Sequence, residues 1–221
     1  MQELRFEVPK AGQVSALWLR PERARAALAL AHGAGAGMRH AFMASVAERL
    51  AARGIATLRY QFPYMERGMR RPDPPSLAVA CVRAAALLTQ KEAGDLPLFA
   101  GGKSFGGRMT STAAAQSPLP GVRGLVFLGF PLHASGRPGS ERAAHLRDVD
   151  LPMLFLQGTR DPLADLALVR PLCESLGARA RLHVVDGGDH SFHVLKSSGR
   201  SDDAVQDELA DATAGWMDAQ P

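Results

Sequence analysis

Cysteine, aromatic residues and long apolar runs are all scarce in this chain of 221 residues, and each scarcity excludes a class of protein. Two cysteines, Cys81 and Cys173, cannot build a disulfide framework. Both fall in apolar patterns of helical spacing and read as reduced core residues, with neither a disulfide nor a metal site implied. No apolar run approaches the roughly 18 residues that cross a bilayer, and residues 1–5 lack the basic-then-apolar plan of a signal peptide. A cytoplasmic location without a membrane partner is therefore expected. Charge of one sign is not concentrated either: 26 Lys+Arg against 22 Asp+Glu leave a formal net charge of +4. The densest basic group, Arg67, Arg70 and Arg71, is offset by Glu66 and Asp73. With neither a basic stripe nor a reading motif, no nucleic-acid partner is expected.

Two phosphate-binding patterns are also missing. Gly102-Lys103-Ser104 looks like the end of a P-loop, but that pattern needs glycine at position 97, where Pro97 stands. The loop from His32 to Gly37 has Met38 in the place of the third glycine of a dinucleotide fingerprint.

What is present is an alternation of short apolar runs with segments of helical period. Strands are expected near residues 4–8, 14–19, 26–31, 55–60, 96–100, 124–129, 152–156 and 180–185, and helices near 41–53, 76–90, 105–116 and 202–218. The first two strands suggest an antiparallel pair. The rest, joined by helical crossovers, give one α/β domain over residues 1–221, with a mostly parallel eight-stranded sheet covered on both faces.

Residues 101–108 read Gly-Gly-Lys-Ser-Phe-Gly-Gly-Arg between an expected strand and an expected helix. They contain a G-x-S-x-G pattern that places Ser104 on a sharp strand-to-helix turn, near the positive end of the helix. A serine hydroxyl needs an imidazole to take its proton and a carboxylate to hold that imidazole in the right tautomer. Asp161 lies just past the strand at 152–156, and His190 lies in the glycine-loosened loop past the strand at 180–185. Order and strand ends together nominate Ser104, Asp161 and His190 as a triad. Asp165 fits better as a helix cap. His193 lies further from its strand end than His190. An acyl-transfer site also needs oxyanion donors. The backbone N–H of Phe105 is one, and the small-residue loop His32–Gly37 supplies the other, with Ala34 preferred and Gly35 next. Residues 130–151 are too few for a lid domain. The site is expected to be open, bordered by that segment and by residues 61–75, where Tyr64 and Arg67 are candidate contacts for a polar or anionic leaving group.

Ala31-His32-Gly33-Ala34-Gly35, Arg59-Tyr60-Gln61-Phe62-Pro63-Tyr64, Gly102–Arg108 and Gly188-Asp189-His190-Ser191-Phe192 together resemble small bacterial alpha/beta-hydrolases of the dienelactone-hydrolase-like kind. A similar domain occurs in a subunit of an animal NSL histone acetyltransferase complex. The resemblance spans nearly the whole chain. It implies the alpha/beta-hydrolase fold, a serine nucleophile at Ser104 and partners at Asp161 and His190. Dienelactone hydrolases proper carry a cysteine where this chain has Ser104, so the resemblance does not extend to their substrate. The expectation is a lidless serine hydrolase acting on a small-molecule ester or thioester with no cofactor or metal. The alternative is a non-catalytic interaction domain that keeps the fold.

Overall fold

In the computed structural model, which describes residues 1–220, β1 (Gln2–Val8) and β2 (Gly12–Leu19) form an antiparallel hairpin whose second strand also pairs antiparallel with β4 (Ile55–Tyr60). From β4 onward every pairing is parallel, through β3 (Ala26–Ala31), β5 (Leu98–Lys103), β6 (Val122–Leu128), β7 (Met153–Gly158) and β8 (Ala180–Val185). The order across the sheet is β1-β2-β4-β3-β5-β6-β7-β8. This is the alpha/beta hydrolase fold.

Strands buried on both faces carry apolar residues at consecutive positions, not alternating ones, and β3, β4 and β7 are buried along their whole length. One face packs on α1 (Ala41–Ala52) and α6 (Asp202–Asp218), with Met43, Val46, Leu50, Val205 and Leu209 fully covered. The other face is covered by α3 (Pro75–Ala93), α4 (Phe105–Gln116) and α5 (Leu166–Leu176).

Three local details depart from the pattern-based expectation. Pro75, not Ser76, opens α3, because a proline at the first helical position has no N–H to lose. A single-turn helix, α2 (Pro63–Glu66), interrupts the segment read as loop. Strand β5 continues through Gly102 to Lys103, since its glycines lie where side chains do not fit. A Cβ on Gly101 would stand 1.9 Å from the Val126 carbonyl oxygen.

The chain turns one way from β3 to β4, and β5 then lies on the other side of β3. That reversal leaves a crevice at the carboxyl ends of β3 and β5, the place where open α/β sheets bind ligands. Between residues 129 and 152 the only helix is a 3-10 segment over Glu141–Asp148, packed on α4, so no lid covers the crevice.

The crevice is held narrow by glycine. A Cβ on Gly102 would stand 2.4 Å from the Ala31 carbonyl oxygen, and one on Gly106 would stand 2.6 Å from that of His32. Backbone cannot retreat from such contacts without shifting a strand. Gly102→Ala and Gly106→Ala are each expected to lower unfolding stability by about 1–3 kcal/mol or more, as overpacking does. Gly215→Ala, where the new methyl meets nothing within 4 Å, is the control and should be neutral or stabilising. Denaturant midpoints for the three variants check this. Equal midpoints would mean that the strand ends are not held together by this close approach.

Candidate active site

Ser104 is the residue between β5 and α4, and its backbone has φ 49° and ψ −113°. A positive φ in a non-glycine residue is strained by about 1–3 kcal/mol and persists only where the surroundings enforce it. Here the enforcement comes from the close approach to β3 and from a Ser104 N–H bond to the Leu128 carbonyl, 3.1 Å. Serine at a helix start usually caps the helix with its hydroxyl. At this position it makes no cap hydrogen bond. Its Oγ stands 2.8 Å from His190 Nε2 instead.

His190 Nδ1 lies 2.7 Å from Asp161 Oδ2. An ionised carboxylate only accepts, which assigns the proton to Nδ1 and leaves Nε2 as the acceptor for the serine hydroxyl. The Asp161 side chain is fully buried, and its second oxygen accepts from the Leu163 N–H at 2.8 Å. Gln157 Nε2 donates to Oδ2 at 2.5 Å. Gln157 was not singled out from the sequence. Its signal is a polar residue near the end of an otherwise apolar strand.

The loop after β3 approaches from the opposite side. Among the described residues, the N–H groups of Ala34 and Phe105 have no protein acceptor. The Gly35 N–H, the other candidate donor, is taken by the Tyr64 hydroxyl at 2.8 Å. His32 is wholly buried. Its Nδ1–H donates to the Gly33 carbonyl at 2.7 Å, and its Nε2 accepts from the Phe62 N–H at 3.2 Å. Burial pushes the His32 pKa down to about 4, so the ring stays neutral and serves as a brace for this loop.

Tyr64 and Arg67, expected to touch substrate, are elsewhere. Tyr64 is buried, its hydroxyl occupied by Gly35 and its N–H donating to Asp73 Oδ2 at 2.8 Å. Arg67 pairs with the same carboxylate at 2.6 Å. Both are reassigned from substrate contact to support of the loop after β3. The borders of the cleft differ correspondingly. Residues 61–65 pack against that loop, residues 67–71 are exposed, and the 3-10 segment packs on α4 through His145 Nε2 and Ser111 Oγ, 2.8 Å apart. The walls of the cleft at Ser104 and His190 are instead Ala36, Phe42, Met43 and Leu163, around a volume of about 380 Å³ open to solvent. Of the rival residues, Asp165 caps α5 through the Ala167 N–H, and His193 pairs with Asp202 at the surface. Among the described residues no group of three or more His, Cys, Asp or Glu side chains could hold a metal ion.

An alpha/beta hydrolase domain model matches residues 24–218, and the chain belongs to that family. Its fold is similar to that of a lidless serine hydrolase from Xanthomonas campestris (TM-score 0.76, 22% identity, 100% of this chain and 96% of that one). A dienelactone hydrolase from Anabaena variabilis is similarly close (TM-score 0.77, 22% identity, 99% and 98%). At these identities the likeness is one of fold. A Mycobacterium tuberculosis protein named as a phosphoribosyl transferase is 30% identical over 189 residues, 84% of this chain. The chain spans 40% of the length of that relative.

The two carboxylates near the site separate by experiment. Asp161→Asn keeps the shape but removes the charge that sets the His190 tautomer, and is expected to lower turnover by up to about ten-thousand-fold. Asp165→Asn should cost less than about ten-fold, since a cap is worth roughly 1 kcal/mol. Steady-state rates on an activated ester measure both, and equal losses would remove Asp161 from the relay.

Proposed function

We propose that this protein is a serine hydrolase that cleaves small carboxylic esters or thioesters through an acyl-enzyme on Ser104. The observation that carries the reading is the continuous relay from Asp161 through His190 to a strained serine whose hydroxyl is withheld from helix capping. As the Ser104 Oγ–carbonyl bond forms, the hydroxyl proton passes to His190 Nε2 and the carbonyl electrons move onto oxygen. The N–H groups of Ala34 and Phe105, free of protein acceptors, meet that oxyanion. Collapse breaks the bond to the leaving alkoxide or thiolate, which takes the proton from Nε2. Water then repeats the sequence against the acyl-enzyme, and the acid leaves. Every group the cycle needs comes from the chain itself, so the reading calls for no cofactor.

Substrate size follows from the cleft. Its volume lies at the lower end of the roughly 300–1,000 Å³ of small-molecule sites, and its side-chain walls are mostly apolar. Each buried methylene adds about 0.8 kcal/mol only while there is wall to cover it. The preferred acyl groups are therefore short, about two to six carbons. Two free, buried cysteines support the cytoplasm as the compartment of this enzyme. Phosphoribosyl transfer, in the name of the longer mycobacterial protein, is not favoured here: the groups converging on the cleft are a nucleophile and its base.

Ser104→Ala should abolish ester hydrolysis, a loss on the order of a million-fold, with the unfolding midpoint little changed, because alanine keeps the same Cβ at the same positive φ. A fluorophosphonate should label Ser104 in the native chain and nothing in the variant. Labelling elsewhere, or activity that survives, would remove Ser104 as the nucleophile, and a native chain that neither takes the label nor turns over ester would favour an interaction domain.

Specificity constants for acetyl, butyryl, octanoyl and palmitoyl esters test the cleft separately. They should peak by butyryl and fall thereafter, and a steady rise to palmitoyl would mean that the loops close over a longer channel.

A further inference from the structure

The residue between the glycine and the serine of the elbow is lysine, and the relay described above does not use it. Lys103 ends β5, is buried, and lines the cleft beside Ser104. Its aliphatic stem lies against Gly33 of the loop after β3. Among the described residues no carboxylate pairs with it within salt-bridge distance. Its Nζ donates instead to the backbone carbonyl of His190, 2.5 Å away, and stands 5.5 Å from the centre of the Phe192 ring. Gly129 closes in behind: a Cβ there would come within 3.1 Å of Nζ and 3.6 Å of His190 Nδ1. Phe192 is itself anchored, buried with φ 64° and stacked on Phe42 of α1. One ammonium thus grips both the backbone of the base and the aromatic two residues further on.

Resting on the serine-hydrolase reading, we propose that Lys103 is a positioning residue that clamps the His190 loop to the nucleophile elbow and so holds the base at hydrogen-bond distance from Ser104. Its part in the reaction is exerted through His190. A buried ammonium is an expensive way to hold a loop, since it must shed water. What it gains is a charge-assisted hydrogen bond, about twice as strong as a neutral one, and a cation–π contact, both of which weaken when the amine is neutral. Ordinary loop flexibility would let the imidazole drift, and misplacement by about 1 Å can cost a hundred-fold in rate.

The clamp carries a pH signature. Burial holds the Lys103 pKa down to about 8, against the partial support of the Asp161 and Asp189 carboxylates. With His190 in direct contact, these are the titratable groups that act on it. A base whose folded pKa lies below its ordinary 10.5 is penalised by the fold while protonated. Its titration therefore raises folding stability between about 8 and 10.5. Loss of the clamp above pH 8 should thus lower turnover without lowering the unfolding temperature, the opposite of alkaline unfolding.

The test uses the full chain and the Lys103→Met and Lys103→Gln variants. In native protein, kcat on a butyryl ester should fall as pH rises through about 8 while the thermal midpoint does not. Lys103→Met should lower kcat by about 30- to 100-fold with KM within about three-fold, and its remaining activity should show no decline through that range. Lys103→Gln should recover part of the loss, because its amide still donates, and should be equally flat. A Lys103→Met kcat within about three-fold of native, or an alkaline decline that persists in it, overturns the clamp. If neither variant folds, the native profile decides alone: kcat and midpoint falling together overturns it. A readout free of turnover separates this failure from that of the function. In Ser104→Ala, the His190 proton bonded to Asp161 should give a far-downfield NMR resonance that broadens when Lys103→Met is added. An unchanged resonance overturns the clamp and leaves the hydrolase standing. A resonance that depends on Lys103 in a chain that neither turns over ester nor takes a phosphonate keeps the clamp and sinks the hydrolase.

Discussion

The approach of one backbone to another at the ends of β3 and β5 underlies the geometry of the cleft. Gly102 and Gly106 leave room for the Ala31 and His32 carbonyls at distances that a methyl group would violate. That contact does two things. It forces the intervening serine into a positive φ, which turns its hydroxyl away from the helix it begins. It also brings the loop after β3 beside the first turn of α4, so that N–H groups from two different loops converge on one place. A side chain at either glycine would separate these effects, because the elbow could relax only by moving off β3. The run of alanines and leucines in β3 serves the same end, since small residues there keep the strand close to its neighbours.

Around that contact the polar groups are buried in an ordered way. Burying a charge or a donor costs several kcal/mol unless it is met, and here the groups meet one another along a path. Gln157 and the Leu163 N–H hold Asp161, Asp161 holds His190, and Lys103 holds the carbonyl of the same histidine. On the far side His32 and Tyr64 satisfy the loop after β3, and Asp73 satisfies Tyr64 and Arg67. The two webs share no side chain. They meet where the Lys103 stem packs against Gly33 and where the Phe62 ring meets Phe105 at the elbow.

Much of this was legible in the chain, and what was not has a common cause. Alternation of strand and helix, and the strand ends on which Ser104, Asp161 and His190 stand, follow from periodicity and glycine placement. That these three side chains meet could be read from their order. Side-chain direction could not. Tyr64 and Arg67 lie in a segment that sequence alone brings near the cleft, but a single turn of helix at Pro63–Glu66 rotates the tyrosine inward to the Gly35 N–H. Lys103 occupies the variable position of a short motif, and nothing local says that its amine reaches a carbonyl 87 residues further on. The choice between Ala34 and Gly35 as oxyanion donor likewise turns on a partner 29 residues away. Arg49 of α1 and Arg53 at its C-cap, met by Asp203, Asp207 and Asp211 at successive turns of α6, are a long-range match of the same kind.

The cleft walls complete this division. Chemistry rests on strand ends that the sheet fixes, whereas Ala36, Phe42 and Met43 stand on the approach to α1 and its first turn. That turn is capped by His40, whose Nδ1 accepts from the Phe42 N–H at 3.2 Å. Its position therefore depends on one exposed cap and on the stacking of Phe42 over Phe192. Phe192 belongs to the loop that carries the base. A change in the acyl wall at Phe42 is thus transmitted to His190 through one aromatic contact. Met43, beside Phe42 in the cleft wall, is buried in the same apolar cluster as Val46, Leu50 and Phe192. Altering cleft depth at Phe42 is therefore expected to move specificity and rate together.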